Sequence, residues 1–393
     1  MSTQSITVGA SDDPAPAIET TQKLPGANDA RTRGTLGRLL LILAGIVIGL
    51  SFGEVITRTL GMGHLDPIVR YNDRILKLKP HIKFMNYLEH PNLVETNNLG
   101  FHDHEREAAN DKYRILFVGD SFVEGRQVST DSLFTVRLEK RFAQDGLRIE
   151  TINGGVPGTG TAYQYVLWKE FFKPNVKVDH LVLCFYLGND LIDNNLDLAS
   201  SVMGDTDKEF YVDSQGRIVD AREKPGRFKQ TINYVRDHSV LFDTFYLGAY
   251  RVKQNLRAEA ADNGAGEITG VDYNAAWKDS QQGTIAFIRN WKSELDRESI
   301  PFDIVLIDRP GRIYNKFEIA FLDKLQAICA QDQIGCLRLQ LNPDPFETYS
   351  FDGIGLGHFN DKGHELAANE LYDYFKAHHA ALFNRQDVTK GRN

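Results

Sequence analysis

Ser121 lies in Gly119-Asp120-Ser121-Phe122-Val123, directly behind the apolar run Ile115-Leu116-Phe117-Val118, so a hydroxyl is held where a buried strand breaks into a turn. At the carboxyl end of a strand in an α/β protein, such a side chain projects into the crevice where these folds bind ligands. Serine is a weak nucleophile until a neighbouring base accepts its proton. His358, which opens a C-terminal helical stretch just after a glycine-rich run, is the candidate base. Upstream of it the nearest acid is Asp352, in Asp352-Gly353-Ile354-Gly355-Leu356-Gly357. The glycines would let that loop bulge until the carboxylate reaches the imidazole and fixes its tautomer. A Ser-His dyad, with a backbone carbonyl orienting the ring, is the alternative. Asp120 adjoins the nucleophile, but neighbouring residues at a strand end point in different directions, so its expected role is to hold the turn through backbone N–H groups.

The same stretch resembles the first block of the GDSL-like, or SGNH, hydrolase superfamily, a Gly-Asp-Ser followed four residues after the serine by glycine, here Gly125. Three further blocks stand in the family's order: Asn153-Gly154-Gly155-Val156-Pro157-Gly158, Gly188-Asn189-Asp190 and His358-Phe359-Asn360. The resemblance covers roughly 97 to 383 and includes Asn97-Asn98-Leu99-Gly100-Phe101, which precedes the first block in membrane-anchored bacterial members. It implies a flavodoxin-like three-layer α/β/α fold with a parallel sheet. It also implies an oxyanion hole made by the backbone N–H of Ser121, the backbone N–H of Gly158 and the side-chain amide of Asn189. The match places the base at His358 and leaves His364, farther into the helix, to packing or capping. One position departs from the pattern: the acid usually three residues before the histidine is replaced by Gly355.

The elements that must position these groups alternate from Tyr113 onward. Strands are expected at 114–118, 148–152, 180–187, 302–307 and 336–341, and helices at 130–144, 162–172, 273–297, 316–330 and 362–378. Strands alternating with long helices mean right-handed crossovers and a parallel sheet covered on both faces. The pattern pauses between Asn189 and Tyr273, too long an interval for a bare loop. Within it, 209–212 and 217–219 flank Asp213-Ser214-Gln215-Gly216 and read as a hairpin. Ser239 to Ala258 reads as a helix with an aromatic stripe of Phe242, Phe245, Tyr246 and Tyr250 that packs on the domain or caps the crevice, and 262–266 as a flexible return.

At 393 residues the chain holds one α/β domain of some 270 residues, 113–383, with an insertion at about 191–270 and accessories around it. Residues 1–38 lack hydrophobic periodicity and are expected to be a disordered cytoplasmic tail, as 384–393 form a short terminal one. From Leu39 to Ile56 only Glu54 is charged, and about eighteen residues at roughly 1.5 Å rise suffice to cross a bilayer core. Arg31, Arg33 and Arg38 precede the span, which favours a cytoplasmic N-terminus and an uncleaved signal anchor over 39–58. The domain would then sit on the periplasmic or extracellular side of a bacterial inner membrane. Residues 59–112 read as a stalk packed partly on the domain, with His102, His104 and Glu105 in a hydrated polar loop. Cys329 and Cys336 are spaced so that they either pair in an oxidising compartment or remain two thiols.

A net charge of −8 offers no basic footprint, which sets nucleic acid aside as a partner. No Gly-x-Ser-x-Gly elbow, Walker loop, dinucleotide fingerprint or zinc spacing occurs, so neither an organic cofactor nor a metal is expected. The expectation is a membrane-anchored serine esterase acting on an ester-bearing small molecule or glycan. An O-acyltransferase using the same site, or a binding protein that keeps the fold without the chemistry, are the competing readings.

Overall fold

The computed structural model describes residues 27–59, 68–72, 75–87, 89–203, 209–221, 227–246, 248, 249, 252, 273–307, 316–339, 349–351 and 357–383. Asp352, the return at 262–266 and the terminal segments 1–26 and 384–393 lie outside these residues. The chain divides into two compact units, 1–62 and 63–393.

In the first unit a single helix, α1, runs Ala27–Thr59. Its stretch Gly37–Thr59 has 23 residues and a mean hydropathy of 2.5, long and apolar enough to cross a membrane.

The second unit opens with two short antiparallel hairpins, β1 (Ile68–Tyr71) with β2 (Ile75–Leu78) and β3 (Lys83–Asn86) with β4 (Asn92–Glu95). The parallel strands follow: β5 (Tyr113–Gly119), β6 (Ile149–Gly155) and β7 (His180–Tyr186). A small hairpin, β8 (Phe210–Val212) and β9 (Ile218–Asp220), belongs to the insertion, and β10 (Phe302–Ile307) and β11 (Gly335–Arg338) complete the sheet. Its spatial order is β11-β10-β7-β5-β6, all parallel. Numbered along the chain, this is the 2-1-3-4-5 order of flavodoxin-like folds, with β5 at the switch point where the winding reverses. β7 is buried at every residue and β5 at all but Tyr113, which is why both read as unbroken apolar runs instead of alternating ones.

Two helical layers cover the sheet. One face carries α2 (Ser121–Glu124), α3 (Phe134–Gln144) and the C-terminal helix Asp361–His378, whose Phe142, Ala368, Leu371 and Phe375 pack with Phe117 and Val182. The other carries Thr161–Leu167, which runs into a π-helical turn at Trp168–Phe172, and the long helices Tyr273–Arg297 and Lys316–Gln331, with Trp168, Trp291 and Phe321 against Leu183 and Ile304. Cys329 and Cys336 are both free, and their thiols are hydrogen-bonded to each other.

The segment read as a stalk, from Gly63 onward, is part of the second unit. Asn97 folds its own turn: its Oδ1 accepts the N–H groups of Leu99 and Phe101 while its Nδ2 donates to the His104 carbonyl at 2.9 Å. Arg106, 3% exposed, donates to both oxygens of Asp103 and to Glu139 Oε2 at 2.9 Å, and Asp103 Oδ2 accepts the N–H of Asn153 in β6. Buried charges that all find partners fix one way of docking this segment on the sheet. The polar loop expected around His102 is corrected by the same packing: His102 is 1% exposed, with Nδ1 on the carbonyl of Glu124 at 3.1 Å.

His364 is equally buried, and its Nδ1 accepts the N–H of Phe134 at the start of α3. Burial holds the imidazole of His364 down at about 3 and that of His102 at about 4. Both rings are neutral in the fold, whereas the unfolded chain binds their protons below about pH 6.5. Stability is therefore full above pH 6.5 and falls as the pH drops toward the folded values, by about 2 kcal/mol per ring at pH 5. The thermal midpoint measured from pH 7 to pH 5 should decline steeply, and His364→Asn should remove roughly half of the decline. A midpoint that is flat over this range would contradict the neutral assignment.

Candidate active site

The turn after β5 is set by its neighbours. Asp120 caps α2, its Oδ1 accepting the N–H of Phe122 at 2.9 Å, so Ser121 becomes the first residue of a short helix that Gly125 closes in the left-handed region. Asn153 fastens the turn from β6, donating to the carbonyls of Val123 at 2.8 Å and His102 at 3.1 Å. A Cβ on Gly155 would lie 2.1 Å from the nitrogen of Glu124, so a side chain there would push the nucleophile's helix away. Asp120 is fully buried; burial raises its carboxyl to about 6, opposed by its bond to the Phe122 N–H.

His358 reaches Ser121 from the far end of the chain, with Nε2 2.7 Å from Ser121 Oγ. Its loop is pinned on both sides. Phe351 N–H donates to the His358 carbonyl, Ser350 pairs with Phe359, and Asn360 caps the following helix by accepting the N–H groups of Lys362 and Gly363. The ring rests against Phe122 at 4.9 Å between centroids, and Phe359 packs on the other side of Phe122 at 5.0 Å.

The partner on Nδ1 comes from an unexpected place. Glu89 Oε2 sits 2.5 Å from His358 Nδ1, and Glu89 Oε1 accepts the N–H of Gly357 at 2.7 Å and that of His358 at 3.4 Å. Both side chains are 6% exposed. Burial alone would raise the Glu89 carboxyl, but the His358 ring and the two backbone N–H groups outweigh it and hold the group below the usual range. Glu89 lies in the turn joining β3 to β4 with φ of 62°, a left-handed conformation costly for a residue with a Cβ. The surroundings enforce it: Asn86 Nδ2 donates to the His90 carbonyl across the turn, and Asn92 Nδ2 donates to the carbonyls of Arg126 and Val128, just past the nucleophile. The expected acid, Asp352, is outside the described residues, and the Nδ1 position assigned to it is held by Glu89. The only sequence signal for this was negative, the glycine at 355.

The three groups named for the oxyanion hole follow adjacent strands. Ser121 follows β5, Gly158 the turn after β6, and Asn189 the end of β7. Gly158 has φ of 65°, the left-handed region that suits glycine, and Val156 N–H anchors its turn to the carbonyl of Gly119 at 3.0 Å. The Asn189 amide gives one hydrogen to Asp193 Oδ2 at 3.1 Å.

A model of the family described as GDSL-like Lipase/Acylhydrolase matches residues 115–371. The chain belongs to this family. The GDSL-like chain is accordingly a carboxylic ester hydrolase. Among solved structures it is similar to the lipase/acylhydrolase from Enterococcus faecalis, at 16% identity over 67% of this chain and 96% of that one with a TM-score of 0.36. The esterase EstA from Pseudoalteromonas sp. is 11% identical over 68% of this chain and 98% of its own, with a TM-score of 0.34. A mutant of an acetyl-xylooligosaccharide esterase from Geobacillus gives 11% identity, 68% and 96% coverage and a TM-score of 0.38. No curated protein matches.

Among the described residues of this GDSL-like chain, one group of three could ligate a metal: His180, Asp303 and His379. His180 opens β7 and Asp303 lies near the start of β10, so the group is at the amino-terminal edge of the sheet, opposite Ser121. Asp303 Oδ2 accepts from His180 Nε2 at 3.0 Å and from His379 Nε2 at 2.7 Å, a latch that holds the end of the last long helix to the sheet.

Proposed function

We propose that the chain is a serine esterase, anchored in the membrane by the apolar helix Gly37–Thr59, in which Ser121 forms an acyl-enzyme with His358 as its base and Glu89 orienting the ring. The observation that carries this reading is the continuous pair of contacts at His358, Nε2 to the Ser121 hydroxyl at 2.7 Å and Nδ1 to Glu89 at 2.5 Å. His358 takes the hydroxyl proton as Oγ adds to the ester carbonyl, then gives that proton to the departing alcohol oxygen. Water repeats the sequence on the acyl-enzyme and releases the acid.

Glu89 accepts the Nδ1 hydrogen throughout, which keeps the Nε2 lone pair toward Ser121 and stabilises the imidazolium once it forms. Its depressed pKa suits that task, because the carboxylate is already charged when the ring becomes so. The oxyanion donors are the N–H groups of Ser121 and Gly158 and the Asn189 amide, which would turn one hydrogen from the protein to the substrate. Such fixed donors are worth several kcal/mol of barrier in a site closed to water. Location outside the cytoplasm makes esters of a cell-envelope or exported polysaccharide suitable substrates, with water as the acceptor.

A fluorophosphonate probe tests the reading directly. The full chain in detergent should take up one equivalent, and peptide mass analysis should find it on Ser121. A folded protein whose Ser121 stays unmodified would be a binding protein on this fold and not an esterase.

A further inference from the structure

A cavity of about 210 Å³ opens beside the oxyanion turn and is bounded in part by Val156, Pro157, Gly158 and Thr159. Its other walls come from segments outside the parallel sheet. Ile68, Leu76 and Leu78 reach it from the N-terminal hairpin and Phe210 from the insertion, and Phe101 and Tyr163 line it as well. Five charged residues, Lys77, Glu124, Arg126, Asp193 and Glu209, share the wall with these apolar groups, and Asp193 Oδ2 accepts the Asn189 amide at 3.1 Å. Lys77 donates to the carbonyls of Leu99 at 2.8 Å and Leu78 at 3.3 Å, and Arg126 forms a two-pronged pair with Glu124 at 2.5 and 2.7 Å.

The cavity and the histidine belong to different faces of the sheet. Phe101, Val156, Tyr163 and Phe210 are part of the core on one face, whereas Phe122, on which the His358 ring rests, and Phe359 are part of the core on the other. His358 returns its proton to the alcohol oxygen, so the alcohol half of the ester lies on the histidine side. The carbonyl oxygen points to the Gly158 turn, and the substituent remaining on that side is the acyl chain.

Building on the serine-esterase reading, we propose that this cavity is an acyl pocket and that the enzyme acts on esters of medium-length aliphatic acids in preference to acetate esters. An apolar cavity of about 150 Å³ admits benzene, so one of 210 Å³ accepts an aliphatic chain of on the order of eight carbons. Each methylene buried there raises kcat/KM by about fourfold until the pocket is full.

The test is a series of p-nitrophenyl esters from two to twelve carbons, hydrolysed by the full chain in lipid nanodiscs. Expected is a rise to an optimum near eight carbons, and a fall of at least tenfold in the octanoate-to-acetate ratio in Ile68→Trp, which plugs the rim at an exposed position. Phe210→Ala, which enlarges the far wall, should move the optimum to longer chains. Acetate as the best substrate, or an optimum unmoved in both variants, overturns the pocket while leaving Ser121 labelling by fluorophosphonate intact. Absence of that labelling in the unaltered chain overturns the serine-esterase reading and the pocket with it.

Discussion

Ser121→Ala and His358→Ala each lower kcat on a short-chain aryl ester by about 10⁴ to 10⁶-fold, and the double variant is no worse than either single one. The reason is the 2.7 Å contact between Nε2 and Oγ. A hydroxyl without its base is as poor a nucleophile as water, and a base without its hydroxyl has no bond to make, so the two residues fail as a unit. What survives in the variants is the contribution of substrate binding and the oxyanion donors. Both substitutions remove atoms at the crevice, and the thermal midpoint should stay close to that of the parent. Steady-state rates on all three variants decide the matter, and a loss of less than tenfold in His358→Ala would remove the histidine from the mechanism.

Glu89→Gln lowers kcat by about 10³ to 10⁴-fold, because an amide in place of the carboxylate can present N–H to Nδ1 and hold the wrong tautomer of the ring. Glu89 Oε1 also accepts the Gly357 N–H, so part of the loss comes from a loosened histidine loop. Glu89→Asp should recover some of the rate, since it keeps the charge while shortening the reach. Asp352→Asn serves as the comparison and should stay within about threefold of the parent. The opposite ranking, with Asp352 essential and Glu89 dispensable, would return the third role to the glycine-rich loop.

Much of the fold was legible because parallel strands buried on both faces and long helices have plain signatures. The helix Tyr273–Arg297 and the strand Phe302–Ile307 occur with the boundaries their patterns predict, and the sheet has the flavodoxin-like arrangement. Ser121 and His358 could be named because each sits at an element boundary with a short recognisable block around it. Glu89 could not. It is 269 residues from its partner, in a turn between two four-residue strands whose mixed composition, Lys83-Phe84-Met85-Asn86 and Asn92-Leu93-Val94-Glu95, carries no clear period. The burial of His102 was hidden for a related reason. A polar residue is expected at the surface until the carbonyl waiting for it is known, and that carbonyl belongs to Glu124, on the nucleophile's own helix.

Glu89, the carboxylate on His358 Nδ1, thus lies upstream of Ser121, and upstream of residue 115, where the family match begins. A version cut to the bounds of that match would lack this carboxylate together with the buried Asp103 and Arg106 that dock on the sheet. The histidine itself is placed late, so the constellation is assembled from both ends of the polypeptide. During synthesis a nascent chain has displayed its serine for more than two hundred residues before the imidazole that contacts it emerges.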